Sequence, residues 1–399
     1  MLLILFPYPF NDLFYKQYEI DLLKKKLKIK VEIHDLSKIA NPLWRHAFKV
    51  KSSNKIKVFK NIKEWKKYFN ILVENNKNIK VLNILDTSTF NSVILHYILF
   101  KSKVDILKHE TPAFAMPINN IKIILSTKLI INFTHDLLFN FSKVIFFFKT
   151  KLFLNLIKLL KFERLFYLYS GKEKYYNFLR AKKKLFIKCH SKDYSNYLIH
   201  KNKKKLDHIK KPYALYLDIP VPHFVGDKKL FKYKINYDKH LWYKNLNKFL
   251  KSIEKKFNLK VIIIPHPKVR QTTNPFYDKH FKIGNDLDAT VKLVPGANFV
   301  MAGAGTTATS YVVANNKRLV LVTNDQIEKY NHRQAGDMKY LANILDCSLI
   351  NLNENINKKN FLKKINKKNY LEYKYNHLTS KEITNKFNFE IFKKIIFTK

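Results

Sequence analysis

Short, almost unbroken apolar runs alternate with segments of helical spacing, and the alternation happens twice along the 399 residues. In the first half Leu2–Phe6 is such a run, and Tyr15–Lys26 follows with helical spacing. Val31–Leu36 alternates as a strand, the Trp-containing stretch Asn61–Val73 is helical, and Val81–Leu85 is a third apolar run. Ser92–Phe100 reads as a helix and Leu185–Cys189 as a late strand. Alternating strands and helices predict a parallel sheet with crossover helices. Lys201–Lys211 is Lys-rich, poor in apolar residues and ends at Pro212, which marks the approach to a domain boundary. The rhythm then restarts: Ala214–Leu217, Val261–Ile264, Ala297–Met301 and Arg318–Val322 read as strands, Leu241–Phe257 and Thr307–Asn315 as helices. Two successive halves of this kind predict an α/β fold of two Rossmann-like domains facing a central cleft. The expected division is residues 1–205, with a helical insertion at about 129–180, and residues 206–399, whose Lys/Asn-rich helical tail packs back across the first domain.

The length suits two cores, and a 46% hydrophobic content can fill them. The formal charge is +46, from 76 Lys plus Arg against 30 Asp plus Glu. Such a charge raises nucleic acid as a partner. Here the excess is mostly Lys, accompanies abundant Asn, Ile, Phe and Tyr, and is scattered through every segment. That is the residue set of AT-rich codons, and no nucleic-acid-binding module accompanies it. What remains is a surface drawn to anionic substrates or anionic lipid. Cys189 and Cys347 have no nearby partner motif, which argues against a disulfide framework or structural zinc and fits a reducing compartment.

The opening MLLILFPYPF has no basic leader and no small-residue cleavage site, so it reads as a buried strand running into a loop. No stretch reaches the roughly 18–20 apolar residues needed to span a bilayer. Between Leu129 and Tyr169 apolar runs are interrupted by Asn132, His135, Asp136, Lys143, Lys149 and Lys151. This pattern fits either amphipathic helices lying on a membrane or a helical hairpin packed inside its own domain. A cytoplasmic protein, peripheral at the inner face of the membrane, is the expected location.

Four of the seven glycines fall between Gly284 and Gly305. In a chain so poor in glycine, this marks backbone that turns tightly or approaches a ligand. The segment runs from the apolar Phe299–Ala302 into Gly303-Ala-Gly305, then Thr306-Thr307 at a helix start. Free N–H groups and hydroxyls there can hold an anion, although a Thr N-cap behind a turn fits equally. A second strand ends at Pro265-His266-Pro267-Lys268, where prolines fix the backbone around an imidazole. Ligands of open α/β sheets bind at strand carboxyl ends, which makes His266 a candidate for phosphate binding or acid/base work. Asp218 ends a third strand, and His190 and Asp193 follow the last strand of the first half. Each is more often a solvated strand end; together they gather along one cleft.

The HP dipeptide after a strand, followed some forty residues later by a glycine turn and paired Thr, resembles bacterial GT-B sialyltransferases and related capsule or lipopolysaccharide glycosyltransferases. Residue by residue the resemblance covers His266-Pro267 and Thr306-Thr307. The acidic Asp/Glu-Asp/Glu-Gly motif of the sialyltransferases is absent. The resemblance implies a metal-independent glycosyltransferase with a nucleotide sugar as co-substrate and a glycan or glycolipid acceptor. His266, Pro267, Lys268, Gly303, Gly305, Thr306 and Thr307 would face the donor phosphate. Asp193 or Asp218, with His190 nearby, would supply acid/base chemistry. A nucleotide-sugar 2-epimerase of the same fold and a non-catalytic scaffold are the alternatives.

Overall fold

The computed structural model describes residues 1–42, 56–110, 141–172, 179–201, 211–220, 222, 237–267, 274–354 and 358–397. Among these, two wholly parallel sheets form. The first contains β1 (Leu2–Phe6), β2 (Val31–Asp35), β3 (Lys57–Val58), β4 (Lys80–Asn83), β5 (Asp105–Glu110), β6 (Lys161–Tyr169) and β7 (Arg180–Lys188). Their spatial order is β3-β2-β1-β4-β5-β6-β7. The second contains β8 (Tyr213–Leu217), β9 (Lys260–Ile264), β10 (Lys282–Ile283), β11 (Val300–Ala302), β12 (Leu319–Thr323) and β13 (Ser348–Asn351), ordered β10-β9-β8-β11-β12-β13. Both orders reverse direction once, between β1 and β4 and between β8 and β11, which is the Rossmann arrangement.

Central strands bury both faces. Along β1, Leu3 and Leu5 enter one core, while Leu2, Ile4 and Phe6 enter the other. In the second sheet Leu215 and Leu217 lie opposite Ala214 and Tyr216 in the same way. A parallel strand covered by helices on both sides needs such an unbroken apolar run. Helix starts draw on the chain's many asparagines: Asn11, Asn61, Asn324, Asn331 and Asn366 each accept a backbone N–H at an N-cap. Glycine is scarce at helix ends, so Lys28, Asn258 and Asp346 adopt the left-handed conformation there.

Several expectations are revised. The helical run over 15–26 is two helices, Asp12–Gln17 and Ile20–Leu27, broken where Glu19 takes φ 53°. The stretch read as a helical insertion is divided. Phe141–Leu159 is a crossover helix, but Lys161–Tyr169 is β6, paired on both sides within the sheet. Residues 129–140 and 173–178 of that stretch lie outside the described residues.

The tail returns to the first domain. Ile391, Phe392, Ile395 and Ile396 of helix Asn388–Ile396 share a core with Leu2, Ile4 and Phe6. Each such side chain contributes roughly 1.5–3 kcal/mol by burial. Polar contacts then set the register. His190, fully buried, donates its N–H to Asn388 Oδ1 at 2.8 Å. Its Nε2 lies 2.6 Å from the Lys386 carbonyl and its Nδ1 2.7 Å from Thr379 Oγ1. A carbonyl only accepts, so Nε2 carries the proton and Nδ1 accepts from Thr379. Burial pushes the imidazole down to about 4, keeping it neutral. Beside it, Ser191 N–H donates to Leu378 O, and Ser170 Oγ to His377 O. Glu19 adds a third tie, accepting from Ser195 Oγ and from the Phe389 N–H.

At this seam Gly171 has φ 71°, and a Cβ there would meet Asn376 O at 2.0 Å. Gly171→Ala should therefore destabilise the seam by more than the roughly 1–3 kcal/mol of a left-handed non-glycine residue. The readouts are a lower melting temperature and earlier proteolysis within residues 374–397. Wild-type melting and cleavage would contradict the packing described.

Candidate functional site

β8 lies between β9 and β11, and its register fixes what stands at the sheet's carboxyl edge. Leu217 pairs with Ile264 on one side and with Ala302 on the other. The next residues, Pro265, Asp218 and Gly303, consequently form one row. The Asp218 N–H donates to Ile264 O at 3.0 Å, and the Gly303 N–H to Leu217 O at 3.1 Å. His266 and the Gly303–Thr307 turn thus flank Asp218 at the switch point, their strands about 10 Å apart. His266 is half-buried and Pro267 exposed; Lys268 lies outside the described residues.

The turn is built from local bonds. Thr306 Oγ1 accepts the Ala308 N–H at 2.9 Å, and the Thr306 carbonyl accepts from Thr309. The helix that follows is shorter than the sequence suggests, Thr309–Ala314. Among the described residues the N–H groups of Gly305, Thr306 and Thr307 meet no backbone acceptor. N–H groups in a turn that leads into a helix are donors available to an anion. Gly303 itself serves packing, since a Cβ there would lie 2.7 Å from the Tyr216 hydroxyl.

Asp218 is enclosed. It is buried, and the Tyr277 hydroxyl donates to its Oδ2. Tyr243, from helix Lys239–Phe257, stands edge-on to Tyr277 with ring centroids 5.7 Å apart. Burial pushes the Asp218 carboxyl up to about 7, while Tyr277, the Ile219 N–H and Tyr216 pull the other way. Burial and the neighbouring carboxylate together push the Tyr277 phenol far up. The group can therefore hold or release a proton near neutral pH, but behind a tyrosine wall.

Asp193 reaches the same turn from the first turn of helix Lys192–Lys201, which follows β7 and buries Tyr194 in the second core. It accepts from the Tyr311 hydroxyl at 3.2 Å. Tyr311 also accepts from Asn196 Nδ2 at 2.9 Å. Burial raises the Asp193 pKa, and the Thr307 hydroxyl and Tyr311 act against it. Across the junction between the domains Lys16, beyond β1, meets Asp288, beyond β10, at 2.7 Å. The carboxyl edges of both sheets therefore face each other. His190 is not part of this group: both ring nitrogens are engaged by the tail. Among the described residues no three His, Cys, Asp or Glu side chains converge as metal ligands would.

Sequence reasoning missed Tyr216, Tyr243, Tyr277 and Tyr311. Tyr216 was legible, because its i+2 relation to Asp218 puts both on one face of β8. The other three come from distant helices and loops and carry no local signal.

No protein-family profile matches the sequence, and no curated protein is significantly similar to it. Among solved structures, MurG of Acinetobacter baumannii overlaps 99% of this chain and 98% of its own, at 10% identity and a TM-score of 0.43. The spinosyn forosaminyltransferase SpnP overlaps 99% of this chain and 94% of its own, at 8% identity and 0.42. The UDP-GlcNAc 2-epimerase of Methanocaldococcus jannaschii overlaps 92% and 97%, at 13% and 0.43. Scores this low leave the argument with the residues themselves. Strand order and register make the chain a double-Rossmann α/β protein whose two carboxyl edges meet at one junction.

The Asp218 environment predicts a pH signature. Its pKa rises from 3.8 to about 7 on folding, so the folded state binds the proton more tightly. Its contribution to stability is full below the unfolded value and is lost as pH rises toward about 7. Asp218→Asn should remove that loss, raising stability above pH 7 by up to roughly 4 kcal/mol and changing little below about pH 4. Parallel melting curves of the two proteins would refute this by showing one constant offset at all pH values.

Proposed function

We propose that the chain is a glycosyltransferase that uses a nucleotide-activated sugar to extend a cell-surface polysaccharide or glycolipid. One observation carries the reading: His266, Asp218 and the Gly303–Thr307 turn follow the ends of β9, β8 and β11, the neighbouring strands around the switch point of the second sheet. The imidazole, the N–H groups of the turn and the Thr307 hydroxyl, once turned from Asp193, offer a diphosphate hydrogen-bond donors. Pro267 and Gly305 contribute backbone shape.

Of the two candidate carboxylates, Asp193 is the base in this reading. It is half-buried at the junction, joined to Thr307 and Tyr311, whereas Asp218 is closed behind Tyr277. A base must come within hydrogen-bond reach of the acceptor hydroxyl, and burial that raises the pKa of Asp193 improves its proton affinity. Asp218 then supports the donor side by holding the tyrosines beside Gly303. His190 takes no chemical step.

Titration with CMP, CDP, UDP, GDP and their sugars tests the site. His266→Ala should weaken binding about ten- to hundredfold, the cost of one hydrogen bond to a charged group. Thr307→Val should act similarly on binding and, by releasing Asp193, should also lower turnover, whereas Thr306→Val removes the cap on Ala308. Unchanged affinity in His266→Ala would reject the phosphate site. Turnover of a bound nucleotide sugar with no acceptor consumed would replace the transferase with an epimerase.

A further inference from the structure

The crossover helix Phe141–Leu159 turns the wrong chemistry outward. Ile145, Phe148, Leu152, Leu156 and Leu159 are all exposed, Leu152 at 56% and Leu159 at 69%. Their spacing of three, four, four and three keeps them on one side of a helix with 3.6 residues per turn. Ile157, on the opposite side, is fully buried in the first core. The stripe widens onto helix Phe90–Lys101, where Phe90 and Tyr97 are exposed and Phe90 meets Phe153 with ring centroids 6.2 Å apart. An exposed crossover helix ordinarily presents polar residues to water, so a contiguous apolar stripe marks an interaction surface.

Charge identifies the occupant. Lys149 and Lys151 lie on either side of the stripe, Lys101 borders Tyr97, and the whole chain carries +46. Two copies meeting through this face would bring like charges together. An anionic bilayer would take the apolar side chains between its acyl tails and pair its headgroups with the lysines. No described helix is long and apolar enough to cross a membrane, so the contact is superficial. We propose that the apolar face of helices 141–159 and 90–101 docks the protein on an anionic lipid surface. The inference stands on this face alone and is independent of the nucleotide site.

The test is vesicle co-sedimentation of the full chain, with phosphatidylcholine alone and with added phosphatidylglycerol. Wild type should bind the anionic vesicles and be released by salt, as charge screening requires. Leu152→Gln with Leu159→Gln should lose about tenfold or more in vesicle affinity, because both side chains would leave the acyl boundary. Their exposure means that melting temperature and nucleotide binding should be unchanged. Lys149→Gln should cost about fivefold on anionic vesicles, the loss of one lysine near a charged surface, and nothing on neutral ones. Wild type failing to bind anionic vesicles, or the double variant binding like wild type, would overturn the proposal. So would a wild-type dimer in sedimentation velocity that the double variant abolishes, since the face would then belong to a second copy.

Discussion

Both sheets are parallel throughout, and almost everything else follows from that. A parallel strand forces its chain to leave at one edge and come back at the other, so all carboxyl ends accumulate together. In the second sheet this brings the ends of β9, β8 and β11 into one row. The register is held by backbone bonds from Asp218 and Gly303, independent of any side chain at the edge. Chemistry can therefore vary at positions 218, 266 and 304–307 without disturbing the strands beneath, whereas Gly303 is held by packing against Tyr216. The meeting of two such edges, through Lys16 with Asp288, gathers polar groups from both halves.

What could be read from the sequence depended on how local the determining forces were. β1, β8, β9 and β12 were legible because their apolar runs stop at a proline or a polar residue. β6 was not, since Lys161–Tyr169 follows directly on an apolar helix and no Gly or Pro separates them. The two-residue strands β3 and β10 lie at sheet edges, where pairing and not composition defines them. At the site, the Pro-bounded His266 and the glycine turn announced themselves. The enclosure of Asp218 did not, because it depends on Tyr277, fifty-nine positions away. His190 misled for the same reason in reverse: its partners, Thr379, Lys386 and Asn388, lie almost two hundred positions on.

Composition leaves its own imprint on the structure. With seven glycines, the chain sets Glu19, Lys28, Lys103, Asn258, Asn316 and Asp346 in the left-handed region. Each costs on the order of 1–2 kcal/mol relative to an ordinary conformation. Deep apolar cores around both sheets offset that cost. Gly171 and Gly303 are retained where another backbone or a phenol hydroxyl leaves no space for a Cβ. The residues left exposed on helix 141–159 do not belong to this compromise, as neither backbone nor core requires them to be apolar.

The chain passes between the domains twice, once after β7 and once in the tail, and the two passages are laced together where His190 and Ser191 meet residues 378–388. A single linker leaves one domain free to swivel about three axes. Two passages fixed side by side remove most of that freedom and leave rotation about the line they define. Opening and closing of the junction thus becomes a one-dimensional swing, and cross-junction contacts such as Lys16 with Asp288 part in a single movement. A ligand that bridges both edges has to stabilise only one coordinate, and loosening the lacing would blur closure long before it unfolded either domain.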